Sequence, residues 1–113
     1  MLKLTSYVMS GWVCGINSTV CQSLAPAYAY NYSMFKPRDV LFWEGSASAM
    51  SSSGDLSSTP NEGMTFRHNS SGAYACFDGH ADIITSNDYI NTVVKNTTTR
   101  NQFWCNPKSD NGH

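Results

Sequence analysis

Titratable side chains concentrate between residues 66 and 84. Nine residues separate His68 from the pair Asp78-Gly79, and His80 and Asp82 follow closely. Imidazole and carboxylate groups can together bind zinc or another divalent ion, or transfer protons in a hydrolytic reaction. The sequence supplies no fixed third ligand, so we assign no metal and no cofactor to these residues.

Structural roles for the same residues are the favoured interpretation. An Asp at a turn commonly accepts hydrogen bonds from its own backbone. We therefore expect Asp78 and Gly79 to build a turn, and His68 to fix the preceding loop through Asp78 or a carbonyl group. His80 and Asp82 remain the candidate surface site. Hydroxyl groups are abundant, yet neither a Gly-x-Ser-x-Gly motif nor a positioned Cys/His pair accompanies them, and we do not predict an enzyme.

A β-hairpin must position this cluster. Asp-Gly between two β-prone runs, 73–77 and 80–84, is a strong hairpin signal because type I′ turns need positive φ at both central residues. With a two-residue turn, Phe77 faces His80, and a three-residue turn would move His80 to the other face. The two-residue turn predicts a buried face and places His80 and Asp82 on the opposite, open face. The expected buried residues are Tyr74, Cys76, Ala81 and Ile83.

Further elements can be predicted on both sides of the hairpin. Residues 4–13 and 40–44 are predicted strands, the second of them central and buried on both faces. Residues 22–32 are expected to be irregular or to form one short helical turn.

The second half of the chain is predicted to hold a loop, a short helix and a tail. Residues 46–63 are a Ser/Gly/Pro-rich loop, and residues 106–113 are a frayed tail. Ser86-Asn87-Asp88 can cap a short helix, although a strand is a competing interpretation. The apolar stripe of that helix would be Tyr89, Ile90, Val93 and Val94.

Composition limits the classes of protein to consider. The 113 residues suit one domain, residues 1–113, and we predict an α+β fold that is mostly β, with an antiparallel sheet and at most one or two short helices. A net charge of −1 with no cluster of Lys or Arg gives no electrostatic footprint for nucleic acid, and no basic amphipathic segment indicates membrane contact. Ser, Thr and Asn supply nearly a third of the chain, a composition typical of exported β-rich proteins.

The cysteines and tryptophans each allow two interpretations. Cys14, Cys21, Cys76 and Cys105 lack metal-binding spacing, and the preferred pairing is 14–21 with 76–105. Buried free thiols are the alternative. The tryptophans could form a sugar-binding platform, but each lies in an apolar run, so we predict core positions for Trp12, Trp43 and Trp104.

The motif and two other segments resemble one bacterial family. His68, Asp78 and Gly79 match the motif of the prepilin-type processing-associated domain, in which nine residues separate a His from Asp-Gly. Residues 6–12 resemble the family's Ser-Tyr-x-Met-Asn-x-Trp-like strand. Residues 36–45 resemble its Pro-containing segment, with Glu44 where Asp is usual. The resemblance covers roughly residues 6 to 84.

This resemblance implies a pseudopilin-like protein related to type II secretion and type IV pilin subunits. Full-length members begin with a short leader and a long hydrophobic helix, which precede a β-rich head. We expect residues 1–113 to be the C-terminal head, without that helix. The implied protein is exported, periplasmic or at the cell surface, and anchored in the membrane when full-length. The implied partners are other pilin-like subunits or secretion components. The alternatives are a secreted β-rich module that binds carbohydrate or a divalent metal, and a hydrolase with an unrecognised site.

Overall fold

The sheet is the organising element of the fold. The computed structural model describes residues 7–14, 31–46 and 57–113. Its strands are β1 (Tyr7–Ser10), β2 (Val40–Glu44), β3 (Ser57–Ser58), β4 (Ser71–Cys76) and β5 (Ala81–Thr85). They are ordered β3-β1-β2-β4-β5. The pairs β1–β2, β2–β4 and β4–β5 are antiparallel, and the two-residue β3 runs parallel to β1. The prediction of a mostly β fold built on an antiparallel sheet is confirmed.

Strand β2 lies at the centre of the sheet, as its apolar sequence predicted. Val40 and Trp43 are each 1% exposed, whereas Leu41 and Phe42 are half-buried. The register shifts between Val40 and Phe42, which indicates a bulge. The predicted strand 4–13 is shorter in the structure. β1 ends at Ser10 and a 3₁₀ turn follows at Gly11–Cys14, while residues 4–6 lie outside the described residues.

One short helix follows the sheet. α1 spans Ser86–Tyr89 and continues through a wider turn, Ile90–Val94, whose i→i+5 geometry appears in the Lys95 N–H···O=C Ile90 bond of 2.9 Å. The N-cap is Thr85, one residue earlier than predicted, and its hydroxyl accepts from the backbone N–H of Asp88 at 3.1 Å. The predicted apolar stripe is only half buried. Tyr89 and Val93 are in the core, while Ile90 and Val94 are 42% and 43% exposed.

The core lies between the sheet, the helix and residues 103–105. All three tryptophans are in it, with exposures of 3% for Trp12, 1% for Trp43 and 6% for Trp104. The indole N–H of Trp12 donates to the carbonyl of Phe103 at 3.3 Å, and that of Trp104 donates to Val93 at 2.8 Å. Their predicted core positions are confirmed, so none of them forms an exposed sugar-binding platform.

The C-terminal residues fold back onto the core, contrary to the predicted frayed tail at 106–113. The guanidinium of Arg100 donates to the carbonyl of Asn106 at 2.7 Å, and the N–H of Asn106 donates to Gly112 at 2.9 Å. The imidazole of His113 stacks on Trp104 with ring centres 3.9 Å apart. The polar residues that suggested a solvated tail therefore hydrogen-bond to one another and to Arg100.

Two predicted irregular segments contain local structure. In the predicted loop 46–63, residues 47–56 lie outside the described residues, and the remainder holds β3 and a 3₁₀ turn at Pro60–Glu62. The hydroxyl of Tyr89 donates to the carbonyl of Pro60 at 2.6 Å and so joins this turn to α1. In the predicted segment 22–32, residues 22–30 are likewise not described, and a 3₁₀ turn begins at Tyr32. Within the described residues, no helix has the length and apolarity needed to cross a membrane.

Candidate functional site

The predicted hairpin forms, but its loop has three residues instead of two. The N–H of Cys76 donates to the carbonyl of His80 at 2.8 Å, and the N–H of Gly79 donates to Cys76 at 3.1 Å. Gly79 has φ of 89° and is the only residue of the loop with positive φ. In the resulting register, Ala75 faces Ala81 and Tyr74 faces Asp82. The predicted pairing of Phe77 with His80 is therefore wrong by one residue.

This shift changes which side chains share a face. Tyr74 and Cys76 are buried as predicted, at 7% and 4% exposure. Ala81 and Ile83 lie on the opposite face, and Ile83 is 59% exposed, so their predicted burial is wrong. Asp82 instead shares the face of Tyr74, and it remains exposed because β5 is the last strand of the described sheet.

Contacts from residues 32–39 explain the longer loop. The N–H of Phe77 donates to the carbonyl of Asp39 at 3.0 Å, and the N–H of Asp78 donates to Pro37 at 3.0 Å. The ring of Phe35 stacks on Phe77 at 4.4 Å, and the hydroxyl of Tyr32 donates to the Phe77 carbonyl at 2.7 Å. A two-residue turn would remove Phe77 from the loop position where these bonds form.

His68 pairs with Glu44 on β2, and not with Asp78. Its Nε2 lies 2.8 Å from Oε2 of Glu44. The Glu44 side chain is 7% exposed, while that of His68 is 50% exposed. The pair therefore joins a buried carboxylate to an imidazole at the protein surface. His68 does anchor the segment before the hairpin, but its partner is an acid 24 positions earlier in the chain.

A second tight turn places His68 opposite β2. His68 and Ser71 exchange two backbone hydrogen bonds of 3.1 Å and 3.0 Å, and the central residues Asn69 and Ser70 have φ of 52° and 63°. Positive φ at both central positions is the mark of a type I′ turn. The sequence signal for this turn is weak, because Asn favours the left-handed region and Ser does not. Asn69 is the one central residue of this turn whose type favours positive φ.

Asp78 and His80 form a pair that is confined to the hairpin loop. Oδ1 of Asp78 accepts from the backbone N–H of His80 at 2.9 Å, and Oδ2 lies 2.6 Å from Nδ1 of the same residue. These hydrogen bonds, the backbone one foremost, lower the pKa of Asp78 below its ordinary value. The arrangement is a local turn motif, as expected for an Asp at this position.

Asp82 makes a separate contact, since its Oδ1 accepts from the N–H of Ile83 at 2.8 Å. The predicted residues therefore form three separate arrangements, centred on His68, Asp78 and Asp82. In the described ranges 7–14, 31–46 and 57–113, no group of three or more His, Cys, Asp or Glu side chains could hold a metal ion.

A buried acid, Asp39, was not among the residues predicted from the sequence. It is 6% exposed, and its Oδ2 accepts from the backbone N–H of Lys36 at 2.8 Å. Burial raises the pKa of Asp39, although this hydrogen bond and the nearby Arg100 oppose the shift. Pro37, a residue type that favours turns, was the available signal in the sequence. Asp39 closes the turn that supports the hairpin loop and is thus structural.

Cys76 and Cys105 are free thiols, both buried, so the preferred 76–105 disulfide does not form in the structure. Burial raises the pKa of Cys105 to about 12 and also raises that of Cys76. The alternative of buried free thiols describes these two residues. The predicted 14–21 bridge lies outside the described side chains.

An open apolar groove lies on the outer face of the sheet, away from the core. It has a volume of about 430 Å³, and nearly all of its exposed lining is apolar. Alanines of β4 and β5 form its shallow floor, and larger rings from β1 and β2 flank them. Its lining residues are Tyr7, Phe42, Ala73, Tyr74, Ala75 and Ala81.

Searches with the sequence and the structure matched no protein family model, no curated protein and no solved structure.

Proposed function

We propose that this chain is the head domain of an exported pseudopilin-like protein. It acts through packing between subunits or by presenting a surface in a secretion or pilus-like assembly, and not through catalysis. Other pilin-like subunits or secretion components are its partners. The full-length protein is anchored in the membrane and displays this head in the periplasm or at the cell surface.

The observation that carries the proposal is the apolar groove on the outer face of the sheet. Tyr7 at its rim is 44% exposed, and Ile83 on the same face of the sheet is 59% exposed. Contiguous exposed apolar surface on a small domain marks a place where another element or protein packs. The small side chains of Ala73, Ala75 and Ala81 would let a helix approach the sheet closely. A long apolar helix preceding the head, which the resemblance implies, has the chemistry to fill this groove.

The arrangement of the resembling segments adds support. The segments at 6–12 and 36–45 supply β1 and β2, which are neighbours in the sheet, and the His68–Asp78 motif spans β4. The His68–Glu44 pair joins two of these segments directly, at 2.8 Å. The residues that carry the resemblance therefore meet in one structural unit, which supports the sheet beneath the groove.

The gene sequence upstream of the Met1 codon gives the first test. We expect a leader followed by about 20 apolar residues, the length that spans a bilayer. An upstream in-frame stop codon with no such segment would refute the proposal.

Cross-linking of the full-length protein in cells gives the second test. A photoreactive amino acid at Ala75, inside the groove, should cross-link to the apolar helix of its own chain or of a neighbouring subunit. The matched control is Asn87, an exposed residue of α1 that is outside the groove. Equal cross-linking from both positions, or none from Ala75, would contradict the proposed packing.

A further inference from the structure

Strand β5 forms one edge of the described sheet, and its residues Ala81, Asp82 and Ile83 are exposed. An open edge presents unpaired backbone groups that can pair with a strand of another molecule. No Lys or Pro, the residues that commonly prevent such pairing, occurs in β5. If this edge is protected against pairing, another residue of β5 must protect it.

The hydrogen-bond pattern shows which amides of β5 face the open edge. At one end of the β4–β5 ladder, the N–H of Cys76 donates to the carbonyl of His80. At the other end, the N–H of Ser86 donates to the carbonyl of Ser70. Bonded and unbonded pairs alternate along an antiparallel ladder. Ile83, opposite Ala73, falls in an unbonded pair, so its N–H and C=O point away from β4.

The Asp82 side chain occupies this outward amide. Its Oδ1 accepts from the N–H of Ile83 at 2.8 Å. Ile83 is the middle residue of β5, and its amide is the donor on which a pairing strand would be centred. Because the Asp82 carboxylate already accepts a hydrogen bond from the Ile83 N–H, this donor is not available to a second strand.

A second copy of this chain is the partner that fits the edge. If two β5 strands paired antiparallel about Ile83, Ile83 would face its own copy, Asp82 would face Ile84 and Ala81 would face Thr85. This register opposes no like charges and sets two exposed Ile83 side chains together, and both features favour cross-strand pairing. It is also isologous, as a two-fold dimer requires.

We propose that the Asp82 carboxylate keeps the β5 edge closed to pairing with a second copy of this chain, by holding the amide of Ile83. The proposal gives Asp82 a function that does not depend on ligand binding. It goes beyond the proposed function, because it holds for the isolated head whether or not the head belongs to a pseudopilin-like protein.

The test compares the wild type, Asp82→Ala and Asp82→Asn by sedimentation velocity over a series of concentrations. Asp82→Ala removes the acceptor, and its mass should rise toward that of a dimer with concentration. Asp82→Asn keeps an acceptor oxygen and should remain monomeric like the wild type. Monomeric Asp82→Ala, a dimeric wild type, or equal dimerisation of both variants would overturn the proposal, the last because charge alone would then be the cause.

Two further measurements test the proposal, and the second uses only the wild type, so it applies even if Asp82→Ala folds poorly. The double variant Asp82→Ala/Ile83→Pro also lacks the donor, and Pro is tolerated on edge strands, so it should be monomeric. In the wild type, the amides of Ile83 and Ala81 both face the edge, but only Ile83 is held by Asp82. Amide hydrogen exchange at Ile83 should be about fivefold slower after correction for sequence, the effect of a hydrogen bond of ordinary strength. Equal corrected rates would contradict the proposal.

Discussion

Replacing His68 with Ala tests the contact between His68 and the buried Glu44. The substitution leaves the Glu44 carboxylate, 7% exposed, without the imidazole that lies 2.8 Å from it. A hydrogen bond to a charged group contributes about 1.5–3 kcal/mol, and complete burial of an unpaired charge would cost more. His68 is 50% exposed, so water can enter the vacated space and replace part of the lost interaction. We therefore expect a loss of about 1–2 kcal/mol in the free energy of unfolding.

Urea unfolding and thermal melting, both followed by circular dichroism, measure this loss. For a chain of this length, about 1–2 kcal/mol corresponds to a decrease of about 4–8 °C in Tm. The matched control is His80→Ala, which also removes a histidine paired with an acid. The His80 side chain is 62% exposed, so its removal should change the free energy of unfolding by about 0.5 kcal/mol or less.

A double-mutant cycle with Glu44→Gln identifies the source of the effect. If the His68–Glu44 pair is responsible, the effects of the two single substitutions will not add in the double variant. Additive effects, or a loss from His68→Ala no larger than that from His80→Ala, would refute the assignment of His68 as the anchor of this segment.

Three other predictions concern a pair of glycines, the imidazole of His113 and the buried thiol of Cys105. Gly112→Ala should lower the free energy of unfolding by about 2 kcal/mol or more, since a Cβ would clash with the carbonyl oxygen of Trp104 and Gly112 has a positive φ of 79°. Gly79→Ala, which has positive φ but open space, should cost only about 1 kcal/mol, and urea unfolding of both variants checks the difference. Burial lowers the pKa of His113 below 6.5, so its stabilising contribution is complete above pH 6.5 and declines as the pH falls below that value. The free energy of unfolding of the wild type, relative to that of His113→Phe, should therefore be constant above pH 6.5 and decrease as the pH falls below that value. Cys105, fully buried and with a pKa of about 12, should react with a maleimide only after unfolding, as peptide mass spectrometry would show.

Local signals in the sequence predicted the elements better than their exact register. The Asp78-Gly79 pair correctly predicted a hairpin, and the apolar run 40–44 correctly predicted a central strand. The choice between a two-residue and a three-residue loop depends on Phe77, whose backbone bonds to Asp39 and whose ring stacks on Phe35. These contacts join positions about 40 residues apart, and no local pattern encodes them.

The site was harder to predict for the same reason. The sequence motif includes His68, but its partner Glu44 lies on another strand, and only the tertiary arrangement brings the two together. Nor could composition distinguish a solvated tail from one that satisfies its own polar groups. Arg100 decides between them, since its guanidinium donates to the carbonyl groups of Asn106 and Ser109.

The contact between Trp12 and Phe103 has a consequence for synthesis of the protein. The two residues are separated by 91 positions, and the indole N–H of one donates to the carbonyl of the other. β1 and its following turn therefore cannot complete their packing until Phe103 has left the ribosome. Contacts between such distant positions also slow folding. During translation the apolar side chains of β1 and β2 stay uncovered, and a nascent chain in this state is a natural substrate for chaperones.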